Sequence, residues 1–333
     1  MAIKLGINGF GRIGKMVFRQ ALKRDDIEVA AINDLMTIEQ LAYLIKYDSV
    51  HGKLNAEVVV KGETIEIDGK PIKVYSSPHP LMIPWRKAMV DMVMESTGEF
   101  THRKELEQHI AAGAPKVILS APPGDEVDKQ IVLGINDGIL SPCDTIISNT
   151  SCTTNCLLPM LKVIDENFGI ESTYMTTIHP YTNGQRVIDM PHKDYRRGRT
   201  AGVNLIPTTT GAIVAAGAIY PHLADKLDGH SVRVPVSDGS LIDLIAVTGA
   251  ELNVGDINSK FHEASLEMPR ILEYCTDPIV SSDVIGNAHS CVFDSLSTKV
   301  IGRNMMRVTG WYDNEFGYSN RMLDLVAKFY SIK

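Results

Sequence analysis

The chain has 333 residues, of which 44% are hydrophobic and 22% charged, the composition of an ordinary globular protein long enough for two domains. A formal net charge of -7 argues against nucleic acid as the main partner, because phosphate backbones need a basic face. No apolar run approaches the roughly 20 residues of a membrane span, and the N-terminus has no signal-peptide layout, so a cytoplasmic protein with no membrane partner is expected. Five scattered cysteines, an odd number, fit reduced thiols, and no ligand cluster accompanies Cys152 and Cys156, so no metal site is expected.

The first pattern is a short strand, Lys4-Leu5-Gly6-Ile7-Asn8, running into Gly9-Phe10-Gly11-Arg12-Ile13-Gly14 and an amphipathic helix carrying Met16, Val17 and Leu22. A second strand, Glu28 to Asp34, ends on an acid twenty positions beyond Gly14. A glycine triplet alone is a weak signal, but strand, helix and acid together make the dinucleotide fingerprint. Gly9 permits the tight turn, Gly11 lets the backbone approach a pyrophosphate, and Gly14 lets helix and strand pack closely. Asp34 would accept hydrogen bonds from ribose hydroxyls and repel a 2′-phosphate, with no cation at Leu35 to offset it, which favours NAD. The bland alternative for Asp34 is a solvated turn.

Ile38 to Lys46 reads as a helix, and Ala56 to Val60, Thr64 to Ile67 and Pro71 to Tyr75 as hairpin strands. Parallel strands are predicted at Met89 to Met94, Lys116 to Ser120, Ile131 to Leu133 and Thr145 to Ile147, with a helix from Arg103 to Ala112. Alternation of this kind implies a doubly wound sheet binding its ligand at the strands' carboxyl ends. Ser96-Thr97-Gly98 and Ser120-Ala121-Pro122 follow such ends and would line the cofactor cleft, unless they merely cap loops.

Cys152 lies between a short apolar strand and the helical pattern that begins Leu157-Leu158-Pro159. A thiol at a helix N-terminus feels the positive end of the dipole, which favours the nucleophilic thiolate. The competing reading is a small cysteine buried beneath a cap. His179, closing the strand Ser172 to Ile178 before Pro180, could serve as its base, although a lone histidine is more often structural. Thr182, Arg197, Thr208-Thr209-Thr210-Gly211 and Arg233 supply the hydroxyl, helix-start and guanidinium groups that phosphate oxygens need. Singly, each could be a cap or a solvated surface group.

Strands at His230 to Pro235, Leu241 to Thr248, Cys291 to Leu296 and Met305 to Trp311 follow, with helices from Val254 to Ala264 and Tyr318 to Tyr330. The expected fold is α/β: a Rossmann-type doubly wound parallel sheet plus an α+β catalytic domain with a mainly antiparallel sheet. The expected domains are an NAD-binding domain at 1–151, rejoined by the closing helix at about 315–333, and a catalytic domain at 152–314.

The motifs Ile7 to Gly14, Ala31-Ile32-Asn33-Asp34-Leu35, Lys46-Tyr47-Asp48-Ser49, Ser148 to Cys156, Thr176-Thr177-Ile178-His179, Pro207 to Ala212, Arg233-Val234-Pro235 and Trp311 to Glu315 are carried together. Through them the chain resembles, over essentially its full length, the phosphorylating glyceraldehyde-3-phosphate dehydrogenases of bacterial type. The resemblance implies a glycolytic enzyme with Cys152 as nucleophile and His179 as base. Glyceraldehyde 3-phosphate, NAD and inorganic phosphate would pass through a Cys152 hemithioacetal and thioester to 1,3-bisphosphoglycerate and NADH. It further implies that Thr182 and Arg233 hold the substrate phosphate, and that Ser151, Thr153, Arg197, Thr210 and Gly211 hold inorganic phosphate. NAD would be contacted by Arg12, Ile13, Asp34, Ser120 and Asn314, the last through the nicotinamide carboxamide. A loop resembling Met190-Pro191 crosses a subunit interface in that family, which implies a homotetramer.

Several positions depart from the family pattern: Thr150 for a usual alanine, Pro180 for a small residue, Gly184 for a usual aspartate, Ser77-Pro78-His79-Pro80 without an arginine, and Ser237-Asp238-Gly239-Ser240 for a usual Asn-Val-Ser. Two alternatives share the fold, an erythrose-4-phosphate dehydrogenase and a catalytically silent NAD-binding homologue.

Overall fold

A computed structural model describes residues 2–332, which divide into two compact units. The first comprises residues 2–131, 137–150 and 319–332, and the second residues 132–136 and 151–318. None of the helices described is long and apolar enough to cross a membrane.

The first unit is built on a sheet of nine strands. Its parallel part runs Lys70–Tyr75, Ile27–Asn33, Ile3–Asn8, Met92–Glu95, Val117–Leu119, Ile146–Ser148, Lys129–Gln130. The antiparallel strands Val58–Lys61 and Thr64–Ile67 extend the first edge. Leu5, Ile7, Ile32, Val93, Ile118 and Ile147 are fully buried, as expected where both faces of a parallel sheet are covered. The helix Arg12–Ala21 returns from the first strand, and Thr37 caps Ile38–Lys46 by accepting the Gln40 N–H in a capping box. The last segment closes on this unit: Arg24 pairs with Asp324 at 2.7 Å, and the Lys116 ammonium lies 3.8 Å from the centre of the Phe329 ring.

Two predicted strands moved. Met89 takes a left-handed conformation at φ 55°, so the strand starts only at Met92. Ile131 to Leu133 is not a strand; the short strand precedes it at Lys129–Gln130, and Val132 is buried in the core of the second unit. The run is apolar because it is buried, and burial alone does not specify strand geometry.

The second unit packs helices on a sheet of order Ile206–Thr208, Leu227–Val234, Ile170–Pro180, Ser240–Thr248, Met305–Tyr312, Cys291–Asp294, Leu272–Cys275, with Lys299–Ile301 beside Met305–Tyr312. Two of its pairings are parallel, Ile170–Pro180 with Leu227–Val234 and Leu272–Cys275 with Cys291–Asp294; the others are antiparallel. Its core centres on the helix Cys152–Phe168, whose Cys156, Leu157, Leu158, Met160, Leu161 and Ile164 are fully buried. Gly310 lets that helix approach the sheet: a Cβ there would stand 2.6 Å from the Met160 sulfur and 2.9 Å from the Cys291 sulfur. Phe261 and Phe293 stack at 3.8 Å between ring centres.

Ser240 is the register partner of Tyr312, which sets the turn at Asp238 and Gly239 beside Asp313 at the end of the neighbouring strand. Both acids are buried, and Asp313 accepts the backbone N–H groups of Gly286, Glu315 and Phe316. Burial, together with the nearby Asp238, nevertheless pushes its carboxyl up to about 7 from an ordinary 3.8. An acid that binds its proton more tightly folded than unfolded loses stabilising effect as pH rises between those values. Asp238→Asn removes the opposing charge and should therefore raise Tm above neutrality by about 2 °C, equivalent to about 1 kcal/mol, with little change near pH 5. Thermal melts at the two pH values check this; an equal shift at both contradicts it.

Candidate active site

The chain reaches Cys152 through a sharp turn. After the strand Ile146–Ser148, Thr150 adopts φ 57°, a left-handed setting that costs a β-branched residue on the order of 1 kcal/mol or more. The departure to threonine is thus accommodated under strain, with the Thr150 N–H donated to the Ser148 hydroxyl at 2.9 Å. Ser151 then caps the helix: its hydroxyl oxygen accepts the Thr154 N–H at 3.1 Å. This leaves Cys152 at the first helical position, half-buried, its sulfur 3.6 Å from His179 Nε2.

Sheet register supplies the rest of the site. His179 and Arg233 are direct partners on adjacent parallel strands, and the Arg233 Nη1 group donates to His179 Nδ1 at 2.5 Å. The same ring nitrogen lies 2.9 Å from the Pro180 carbonyl, to which Arg233 Nη1 also donates at 3.1 Å. Tyr312 stands edge-on to the imidazole, and its hydroxyl joins Thr153 and Thr177 at 2.9 Å each.

The electrostatics set burial against the pull of the helix terminus toward a thiolate. Burial pushes the Cys152 thiol up to about 11, against the Arg233 charge and hydrogen bonds from Thr153 that favour the anion. Burial and then Arg233 push the His179 imidazole down to about 3. Both shifts favour the neutral members of the pair, thiol and imidazole. The helix N-terminus favours an anion, but removal from water weighs more.

The phosphate candidates fall into separate clusters. Arg197 donates to the Thr208 hydroxyl at 2.6 Å and lies 3.5 Å from Asp194, while its charge reaches Arg233. Thr210 accepts the Ala212 N–H at 3.2 Å beside Gly211, the cap of the helix Ala212–Ile219. Thr182 is held by Gln185, whose side-chain oxygen accepts its N–H at 2.7 Å, and Gly184 donates its N–H to the Thr182 hydroxyl at 3.3 Å. Of the sequence-predicted set, Cys152, His179 and Arg233 are in a single contact chain; Thr182, Thr210 and Gly211 stand in their own loops.

Asn314 sits in the turn before the helix Phe316–Ser331. Its side-chain oxygen accepts the Ser240 hydroxyl at 2.8 Å, which fixes the orientation of the amide. Sequence reading missed Ser240 and Tyr312 as supports. The strand alternation that points Ser240 and Tyr312 to one face could have signalled them only once the register between the strands was known.

In the first unit the fingerprint has the expected form. Gly9 has φ 88°, and a Cβ on it would meet the Thr97 N at 2.6 Å; one on Gly14 would meet the Gly9 oxygen at 2.1 Å. A Cβ on Gly11 would project into open space, the room a pyrophosphate requires against the helix start. Asp34 accepts the N–H groups of Phe10 at 2.7 Å and Met36 at 2.9 Å, so it is fixed at the loop with lone pairs remaining for hydroxyls. Arg12 forms a fork on Asp48 at 2.6 and 3.2 Å, joined by Lys15 at 2.6 Å. Ile13 is half-buried behind it, and Ser120 is half-buried with its N–H on the Glu95 carbonyl at 2.9 Å. The open space at Gly11 and the fixed Asp34 carboxylate suit a dinucleotide-binding loop.

Comparison with known proteins agrees with this geometry. Residues 3–103 match the family described as glyceraldehyde 3-phosphate dehydrogenase, NAD binding domain, and residues 151–314 match its C-terminal domain. The chain is 52% identical over 330 residues to glyceraldehyde-3-phosphate dehydrogenase 2 of Streptomyces avermitilis, covering 98% of each chain. It is 50% identical over 329 residues to the glyceraldehyde-3-phosphate dehydrogenase of Geobacillus stearothermophilus, again covering 98% of each. Glyceraldehyde-3-phosphate dehydrogenase 1 of Bacillus subtilis is 49% identical over 329 residues. The chain belongs to the glyceraldehyde-3-phosphate dehydrogenase family.

Proposed function

We propose that the chain is the glycolytic enzyme that oxidises glyceraldehyde 3-phosphate with NAD and inorganic phosphate to 1,3-bisphosphoglycerate. The observation that carries this reading is the Cys152 sulfur 3.6 Å from His179 Nε2, with Arg233 on the far side of the same ring. NAD supplies the hydride acceptor when bound. The sulfur adds to the aldehyde carbon, and its proton passes to His179 Nε2. The resulting hemithioacetal alkoxide is stabilised by the protonated imidazole and by the Cys152 N–H at the helix start. Oxidation leaves a thioester on Cys152, and inorganic phosphate held near Ser151, Thr153, Arg197, Thr210 and Gly211 attacks it, releasing the acyl phosphate and restoring the sulfur.

His179 Nδ1 cannot serve both its neighbours. As acceptor from Arg233 it leaves the proton on Nε2 facing the sulfur; as donor to the Pro180 carbonyl it leaves Nε2 bare to take the thiol proton. Substrate phosphate gathered by Thr182 and Arg233 would draw the guanidinium off the ring and select the second arrangement. Because Arg233 is among the causes that depress His179, its removal lets the imidazole hold a proton to higher pH. In Arg233→Leu, the acid limb of the pH profile for Cys152 alkylation should therefore move to higher pH, and kcat/KM for the triose phosphate should fall by about 100-fold or more. An unmoved limb contradicts the coupling.

Assembly and location follow the same reading: a cytoplasmic homotetramer in which the 186–200 segment meets a partner subunit. In its support, Val187 (85% exposed), Met190 (54%) and Tyr195 (90%) present apolar surface on a segment pinned by Asp189 to Arg199 at 3.0 Å. The related reading, oxidation of erythrose 4-phosphate, is favoured by no contact among the described residues; Gly184 leaves Thr182 without a carboxylate support at that position and affects affinity before reaction type.

A steady-state assay with both aldoses and both nicotinamide cofactors, with and without inorganic phosphate, tests the assignment. NAD-linked turnover of glyceraldehyde 3-phosphate that requires phosphate is expected, along with a loss of about 10⁴-fold or more in Cys152→Ser. Preference for the tetrose, or near-normal turnover by Cys152→Ser, contradicts it.

A further inference from the structure

Glu95 ends the strand Met92–Glu95 with no exposure to solvent. Its two oxygens accept four donors. Oε1 receives the Thr97 N–H at 2.7 Å and the Thr97 hydroxyl at 2.5 Å; Oε2 receives the Asn8 amide at 2.5 Å and faces His109 Nε2 at 3.0 Å. The Trp85 indole N–H donates to His109 Nδ1 at 3.0 Å, so that nitrogen is an acceptor and Nε2 carries the proton given to Glu95. Trp85 and His109 are themselves fully buried. A carboxylate removed from water is tolerated only when its lone pairs are met this completely.

The network reaches the cofactor loops. Asn8 immediately precedes Gly9, and its side-chain oxygen accepts the Asn33 amide at 2.8 Å. Asn33 donates to the Ser77 carbonyl at 3.0 Å and accepts the Ser77 N–H at 2.9 Å. Thr97, held by Glu95, presses its backbone against the position a Gly9 Cβ would take, and the Ser96 hydroxyl contacts the carbonyls of Asn8 at 3.0 Å and Gly9 at 2.7 Å. Three segments that converge at the carboxyl ends of the strands are therefore tied to one buried acid.

We infer that Glu95 is the positioning residue of the NAD site: backed by His109 and Trp85, it fixes the glycine loop, the Ser96–Gly98 turn and the Ser77 segment as one rigid rim. The inference rests on the assignment of NAD to the Gly9–Gly14 loop. A glutamine at this position keeps the volume but turns an NH2 towards either the Thr97 pair or the Asn8 and His109 pair, setting donor against donor. The rim then loosens, and the cofactor must meet the ordering cost on binding.

The test compares Glu95→Gln, Thr97→Val and Asp34→Ala by NAD titration calorimetry and steady-state kinetics. Glu95→Gln should raise the KM and Kd for NAD by about tenfold or more while kcat at saturating NAD changes by less than about twofold and the KM for triose phosphate holds. Thr97→Val, which removes one donor and leaves the core packing, should raise the NAD constants by about threefold and gives the reading if Glu95→Gln does not fold. A role confined to stability would lower Tm without the selective rise in NAD KM. Unchanged NAD affinity in the Glu95 and Thr97 variants, with a clear loss in Asp34→Ala, overturns the inference. Unchanged affinity in all three shows that NAD is not held by this loop, and the inference falls with that assignment.

Discussion

The chemistry depends on a register between two parallel strands. Pairing of Ile170–Pro180 with Leu227–Val234 sets His179 opposite Arg233, and that one alignment gives the imidazole a cation on Nδ1 and the Cys152 sulfur on Nε2. A slip of one strand by one residue would turn its side chain to the other face of the sheet and part the two. The buried helix Cys152–Phe168, seated against Gly310, brings the sulfur to the other side of the ring. The placement of the Cys152 sulfur against His179 is thus a consequence of packing in the second unit. The cysteine's own helix terminus works against burial, which pushes the thiol up.

The two units solve opposite electrostatic problems with the same tools. In the second, burial keeps a thiol and an imidazole neutral beside a guanidinium, so that charge is created only as a proton moves between them. In the first, a fully buried carboxylate is surrounded by four donors, and the rim of the dinucleotide site is rigid as a result. Neither arrangement relies on surface ion pairs, which contribute little in water. Both rely on polar groups whose partners come from distant parts of the chain, Glu95 with Asn8 and His179 with Arg233 among them.

Much of this was legible in the sequence. The fingerprint from Gly9 to Gly14 with Asp34 is local, and its turn and helix start follow from residue chemistry over a few positions. Cys152 after a strand and before a helix is local too. What was not legible is non-local. The Trp85–His109–Glu95 chain joins residues whose pairing depends on strand order, and Tyr312 reaches Thr153 and Thr177 across the second sheet. The predicted strand at Ile131 to Leu133 failed for a related reason: its apolar character records burial in the second unit rather than sheet pairing. The upward push of burial on the Cys152 thiol was not legible either, because the helix position can be read from a sequence and desolvation cannot.

On the proposed reading, the Cys152 sulfur carries the substrate as a thioester. The direct measurement is intact-mass and peptide-mapping spectrometry of the enzyme quenched in acid after mixing with glyceraldehyde 3-phosphate and NAD in the absence of inorganic phosphate. A single 3-phosphoglyceroyl adduct on Cys152, discharged when phosphate is added before the quench, is the expected result. An unmodified Cys152 under turnover conditions, or an adduct carried instead by the exposed Cys143, would contradict it.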